Sequence, residues 1–310
     1  MTLTIDKNLG NRKADVLTYL RARAGEMMPE ISQRFGVRQF KKRAAASNRA
    51  LTKERAALVA VLRQTATREN WPPETTLKAL LLLMHCTNVV MLEVRHEFRP
   101  YEYMDFSRRI GEIWEPFVTT CFDLPIRKDV SLFVPPLFKD IKARLTKEVR
   151  DFIRKLPITE EDKNSLVAYY DQVWLLVSSG EIKLELDVHY AIDAVRYVVD
   201  CKSGFGSNEK GNTNRLLLVA SVYKNIEPED YRCLIFVRSK EDENNHYLKT
   251  LKHSGLWEVS CGPDTYEKIK EYSGFDLGNW VRNNVAWEQD LTADFLSYLQ
   301  QKDLAKYLLW

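Results

Sequence analysis

Apolar residues recur at helical spacing through the first half of the chain and alternate through much of the second. In Asn11 to Ala24, Leu51 to Thr67, Pro73 to Val94 and Tyr103 to Phe117 they return every three or four positions, the period of a helix with one buried face. Pro72-Pro73 suits a helix start. Leu124 to Pro136 is expected to be irregular, because Pro125, Pro135 and Pro136 interrupt any regular element. Leu137 to Arg154 returns to helical spacing. Thr159, with Asp162 three positions on, resembles a capping box that opens a helix running through Tyr169 to Val177 and stopping near Gly180.

The period then changes. Glu181–Tyr190 and Val195–Lys202 alternate and are rich in Val, Ile, Leu and Tyr, which predicts two strands. A Gly/Ser/Asn loop follows from Ser203 to Asn214, and Leu216–Tyr223 fits either helix or strand. Cys233–Val237 and Leu256–Cys261 read as further strands around a helix at Tyr247–His253, and Thr265–Tyr272 and Thr292–Leu309 as closing helices. The whole predicts an α/β chain with an N-terminal, mainly helical domain over 1–157 and an α/β domain over 158–310.

Composition narrows the class. At 45% hydrophobic the chain is too apolar to be disordered, and at 310 residues it is long enough to bury a sizeable core. Its longest uncharged apolar run, Ala79–Leu92, spans 14 residues, short of the roughly 20 a bilayer requires, so a buried helix is expected and not a membrane span. The opening Met-Thr-Leu-Thr-Ile-Asp-Lys lacks the pattern of a signal peptide. Five widely spaced cysteines (Cys86, Cys121, Cys201, Cys233, Cys261), with no C-x-x-C pair, argue against a disulfide framework and structural zinc, and point to a reducing cytoplasm. Net charge is only +3, yet residues 1–60 carry 13 Lys/Arg against five Asp/Glu, so they hold +8 and the remainder −5. That asymmetry suggests a polyanionic partner near the N-terminus and carboxylate chemistry elsewhere.

The carboxylates concentrate in the two predicted strands. If these form a hairpin with Asp193-Ala194 as its two-residue loop, Asp187 faces Asp200 and Glu185 faces Lys202. Alternation then puts Leu184, Leu186 and Val188 on one face with Tyr197, Val199 and Cys201. Glu185, Asp187, His189, Asp200 and Lys202 share the other face. Directly opposed residues have Cβ atoms about 4.5–5.5 Å apart, so the two aspartates repel unless a cation lies between them. A hard divalent ion fits, since magnesium commonly takes one or two carboxylates together with substrate phosphate oxygens. Lys202 adds a compact positive charge able to orient an attacking water. Metal, water, phosphate and ammonium together describe a phosphodiester hydrolase.

Asp187, twelve intervening residues, then Asp200-Cys201-Lys202 resembles the motif of the PD-(D/E)XK nucleases, set in a helix-strand-strand-strand-helix-strand order over about 159–262. The sequence departs from that pattern at Leu186, where the family usually has proline, and at Asp200, the less common of the two acids. The resemblance implies a restriction-endonuclease-like core, a central mixed β-sheet flanked by helices. It implies Asp187 and Asp200 as ligands to Mg2+, the Cys201 backbone carbonyl as a further ligand, and Lys202 as the catalytic lysine. The family sometimes takes one more acid from the helix before its first strand, a place Glu161 or Asp171 would fill here; Glu185 and His189 would stand beside the ligands. The function implied is that of a type II restriction enzyme: a sequence-specific double-stranded DNA endonuclease leaving 5′-phosphate and 3′-hydroxyl ends, working as a homodimer without a nucleotide cofactor. The alternatives are a junction or repair nuclease of the same fold and a non-catalytic DNA-binding regulator.

Two groups are expected to meet DNA. Lys210, Asn212, Asn214 and Arg215 lie in the loop after the motif, and Arg38, Lys41, Lys42, Arg43 and Arg49 form the basic N-terminal run. His85, in an apolar helix, is expected to be a buried, hydrogen-bonded histidine.

Overall fold

The structure is a computed structural model that describes residues 2–177, 182–206, 209–226 and 230–308. Four long helices lead: α1 (Lys13–Arg34), α2 (Phe40–Arg68), α3 (Pro73–Phe98) and α4 (Tyr103–Asp123). Apolar on nearly every side, α3 is the central member. It is long and apolar enough to cross a membrane by length and composition, yet 89% of its apolar window is buried inside the protein. A helix without a polar face has to be covered all round, and α1, α2 and α4 pack against it.

The stretch expected to be irregular holds a short strand, β1 (Val130–Leu132). Three residues between prolines are too few to show a period. Next come α5 (Phe138–Lys155) and α6 (Glu160–Val177). The cap expected at α6 is present, with the Asp162 N–H donating to Thr159 Oγ1 at 3.1 Å. The stop near Gly180 and the strand start at Glu181 lie outside the described residues.

Strands β2 (Val188–Ile192) and β3 (Val195–Lys202) form the hairpin in the predicted register, from Val188 opposite Val199 to Ile192 opposite Val195. Asp193 takes the left-handed conformation (φ 53°) that a tight two-residue loop demands and that aspartate tolerates better than most residues. The chain continues through α7 (Lys210–Lys224), β4 (Asp230–Val237), α8 (His246–His253) and β5 (Glu258–Cys261). Leu216–Tyr223 is therefore helix. Sheet order is β1-β2-β3-β4-β5, antiparallel across the first three strands and parallel across the last three. The fold is thus α/β, with a five-stranded mixed sheet flanked by helices and a helical N-terminal region.

Four short helices close the chain: α9 (Pro263–Ser273), α10 (Leu277–Asn284), α11 (Trp287–Asp290) and α12 (Ala293–Gln301). One sheet face, carrying Val198, Cys233, Ile235 and Val237, packs on α7 and α8. The other carries Val188, Tyr190, Tyr197, Val199 and Phe236 and belongs to an apolar cluster that runs from Leu9 to Leu308. That cluster crosses the boundary expected at 157, uniting the helical half with the sheet and the closing helices. A polar knot lies within it. Fully buried His85 meets Asp290 Oδ2 through Nε2 at 2.7 Å, as its place in an apolar helix suggested, and Lys13 Nζ reaches Asp290 Oδ1 at 2.7 Å. Arg21 pairs with buried Glu93 at 2.7 Å, and Glu93 also accepts the Thr292 N–H.

Candidate active site

The acids predicted to converge do so at the open end of the hairpin, with a local departure from regular pairing. Val188 is the partner of Val199, yet the Asp187 N–H also donates to the Val199 carbonyl, at 3.0 Å. Two residues thus address one, the arrangement of a β-bulge, which re-aims a side chain. Asp187 turns its carboxylate along β3, where Oδ2 accepts the Cys201 N–H at 2.6 Å. The carboxylate so replaces the main-chain acceptor that a continuing strand would have offered.

Asp200 is 1% exposed. An isolated buried carboxylate is costly, so it requires cations. Lys202 supplies one, with Nζ 2.8 Å from Oδ2, and Arg215 of α7 the other, with Nη2 3.2 Å from Oδ1. Among the described residues, no such cation stands at the Asp187 oxygens. Burial first, and then the neighbouring Asp200 charge, push its carboxyl up to about 6, against a smaller opposing effect of the Cys201 N–H. Burial works to lower the Lys202 pKa, but the Asp200 charge and hydrogen bond, reinforced by Asp187, more than offset it, so the ammonium is held above its ordinary value. The Cys201 thiol between them is buried and held protonated.

A third acid belongs to this cluster, and sequence reasoning missed it. Glu115 of α4 lies within electrostatic reach of Lys202, Asp200 and Asp187. Burial raises its carboxyl, Lys202 pulls it back, and Asp200 adds to the rise. What brings α4 close is Gly111, one turn earlier, where a Cβ would stand 2.7 Å from Ser203 Oγ, just past the end of β3. The available signal was an acid set among buried Ile113, Trp114, Phe117 and Val118. Glu161 and Asp171, expected to fill this role, are elsewhere. Glu161 is exposed on α6, and Asp171 pairs with Arg150 of α5 at 2.9 Å.

Other expectations need correction. The segment before Asp187 is not strand, so Glu185 does not face Lys202 across a ladder and its side chain is exposed. Leu184 and Leu186 pack with Val198 and the α7 side of the sheet instead of sharing a face with Val188. His189 is buried, accepts the Leu186 N–H at Nε2 (3.3 Å) and meets Phe133 edge-on, so it fastens the incoming chain and does not stand beside the acids. Burial lowers its pKa to about 4.

Lys210, Asn212, Asn214 and Arg215 lie on the opening turns of α7, not in a loop; Ser207 and Asn208 are outside the described residues. Arg215 is turned inward onto Asp200, with Asn212 accepting from it, while Lys210 and Asn214 are exposed. In the basic N-terminal run, Arg38, Lys41, Lys42 and Arg49 are exposed, but Arg43 ties the α1–α2 corner together by donating to the carbonyls of Phe35 and Ser32.

The donor set suits a hard cation. Among the described residues no three His, Cys, Asp or Glu side chains form a closed metal cage. An ion here would take the carboxylates of Asp187 and Asp200 and the Cys201 carbonyl, completing its shell from water or substrate oxygen, as magnesium commonly does. No family model, curated protein or solved structure matches this chain.

Proposed function

We propose that this protein is a magnesium-dependent, sequence-specific double-stranded DNA endonuclease of the type II restriction kind, built on a PD-(D/E)XK core. One observation carries the reading: a half-buried and a fully buried aspartate, Asp187 and Asp200, meet at the end of a hairpin with a lysine on the second of them. The order of elements supports it in part: over 159–262 only two strands, β2 and β3, stand between α6 and α7, and the family's helix-strand-strand-strand-helix-strand order is met by α4, β1, β2, β3, α7 and the parallel β4 with α5 and α6 inserted between β1 and β2. Magnesium, when bound, supplies a Lewis acid for the scissile phosphate and a lowered pKa for a water. Asp187 and Asp200 would hold the ion, and Glu115 would add negative charge to the site. Lys202, kept protonated by its acids, donates to the attacking water and to the phosphate, so it orients and does not deprotonate. Cleavage leaves 5′-phosphate and 3′-hydroxyl ends. One such site per chain requires a homodimer for both strands.

A second reading has its own support. Asp200 already carries two cations at 2.8 and 3.2 Å, a closed charge cluster that would suit a non-catalytic DNA-binding regulator. The test is incubation with phage DNA and magnesium, with mapping of fragment ends. Discrete fragments that disappear with Lys202→Ala, while DNA binding persists, are the expected result. Cutting confined to branched or nicked DNA would redirect the assignment to a junction or repair nuclease. Binding without any magnesium-dependent cutting would leave the regulator.

A further inference from the structure

Between α2 and α4, floored by α3, lies a groove of about 670 Å3. Arg49, Lys53 and Arg55 of α2 line one wall, Arg109 of α4 the other, and Asn88 the floor. It continues into a second cavity of about 310 Å3 that shares Asn48, Arg109 and Glu112 and adds Lys41, Arg108 and Asp105. The groove is on the side of α4 away from the acid cluster. At about 100° per residue, Arg109, Glu112, Ile113 and Pro116 fall on one face of the helix, and Gly111 and Glu115 on another.

Many arginines of this chain stand on an acid: Arg21 on Glu93, Arg95 on Asp105, Arg99 on Glu102. Arg55 does not. It is half-buried, no ion pair or hydrogen bond forms at its guanidinium among the described residues, and the charge that acts on it is a second cation, Arg109. Burial and that cation hold its pKa below the ordinary arginine value. Arg109 has one acid, Glu112 at 3.4 Å, which it shares with Arg108 at 3.3 Å. A desolvated cation facing another cation is destabilising unless an anion compensates it. Converging guanidinium groups match the oxygens of a phosphate, which accept paired N–H donors.

We propose that this groove is a phosphate-binding site in which Arg55 and Arg109 grip one phosphate group. The phosphate belongs either to a nucleic-acid backbone following the groove or to a free phosphate ester. The inference does not depend on the nuclease reading, because it uses none of the acid cluster.

The test is thermal unfolding of the whole chain in inorganic phosphate against chloride at matched ionic strength. Phosphate should raise the midpoint by a few degrees, as a ligand selective for the folded state does. Arg55→Met should abolish that rise, and in phosphate-free buffer it should unfold no earlier than the parent, because it removes an uncompensated buried charge and keeps the volume. Arg109→Gln should abolish the rise as well, while Lys147→Gln, at an exposed lysine of α5 outside the groove, should retain it. No phosphate-specific rise in the parent, its persistence in Arg55→Met, or its loss in Lys147→Gln would overturn the proposal. Titration of a labelled duplex then separates the two sources. Weakening by about fivefold or more in Arg55→Met identifies the backbone phosphate, and unchanged duplex binding with the phosphate response lost identifies a free ester.

Discussion

Replacing Asp187 with asparagine should make the metal-free protein more stable at neutral pH. The Asp187 carboxylate is half-buried beside Asp200, no cation among the described residues pairs with it, and its pKa of about 6 exceeds the ordinary 3.8. The folded state therefore binds a proton more tightly than the unfolded chain, and stability falls as pH rises from about 4 to about 6, beyond which the full cost persists. At roughly 1.4 kcal/mol per pH unit the difference corresponds to about 3 kcal/mol, and partial exposure lowers the expectation to about 1–3 kcal/mol. Asparagine keeps the shape and the oxygen that accepts the Cys201 N–H, so Asp187→Asn removes the charge and little else. Urea unfolding in chelator at pH 7.5 should show a gain of that size, shrinking towards zero near pH 4. A loss of 1 kcal/mol or more at pH 7.5 would mean that the carboxylate charge is part of the scaffold, and the account of a strained acid pair would be wrong. If the nuclease reading holds, the same variant loses cleavage, a trade of stability against activity expected where function maintains an unfavourable arrangement.

Three further outcomes are expected. Glu115→Gln should lower magnesium-dependent cleavage about 10- to 100-fold with little change in the unfolding midpoint, measured by initial rates on plasmid; equal rates would remove Glu115 from the site. Gly111→Ala should depress cleavage by pushing α4 off Ser203, and adding Ser203→Ala should restore it, because the clash at 2.7 Å is with that hydroxyl alone and the Ser203 Cβ stands at 3.5 Å. Asp290→Ala should cost about 3–5 kcal/mol, since it strands Lys13 and fully buried His85 together, and denaturant unfolding reads the loss directly.

The hairpin register was legible because alternation is a strong signal wherever one face must be dry, and Asp193 could take the required turn. The same rule misplaced Leu184, Leu186 and Glu185. The bulge at Asp187 ends the two-residue period, and no side-chain pattern announces a main-chain N–H that turns to its neighbour's partner. Arg215 was placed in the right neighbourhood with the wrong task. It looked outward to phosphate in the sequence, whereas burial of Asp200 draws it inward. Glu115 was illegible for a different reason. It reaches the aspartates from a helix far upstream, through a close approach that one glycine permits, and sequence separation hides such contacts. α1 to α4 were visible as helices, but not their burial against α9 to α12, which rests on the ionic knot at Asp290 and Glu93.

That knot, and the continuous apolar cluster around it, bear on what can be removed. Severing the chain near residue 157 would expose the oily flank of the sheet on one fragment and, on the other, uncover the apolar surfaces of α3 and α4 that the closing helices meet, so neither piece should persist alone. Melting should proceed as one event, and limited proteolysis should yield intact chain or small peptides, with no durable half. Swapping the helical half for that of another protein would accordingly demand rebuilding the interior, because recognition and chemistry, if both reside here, are cast in a single block.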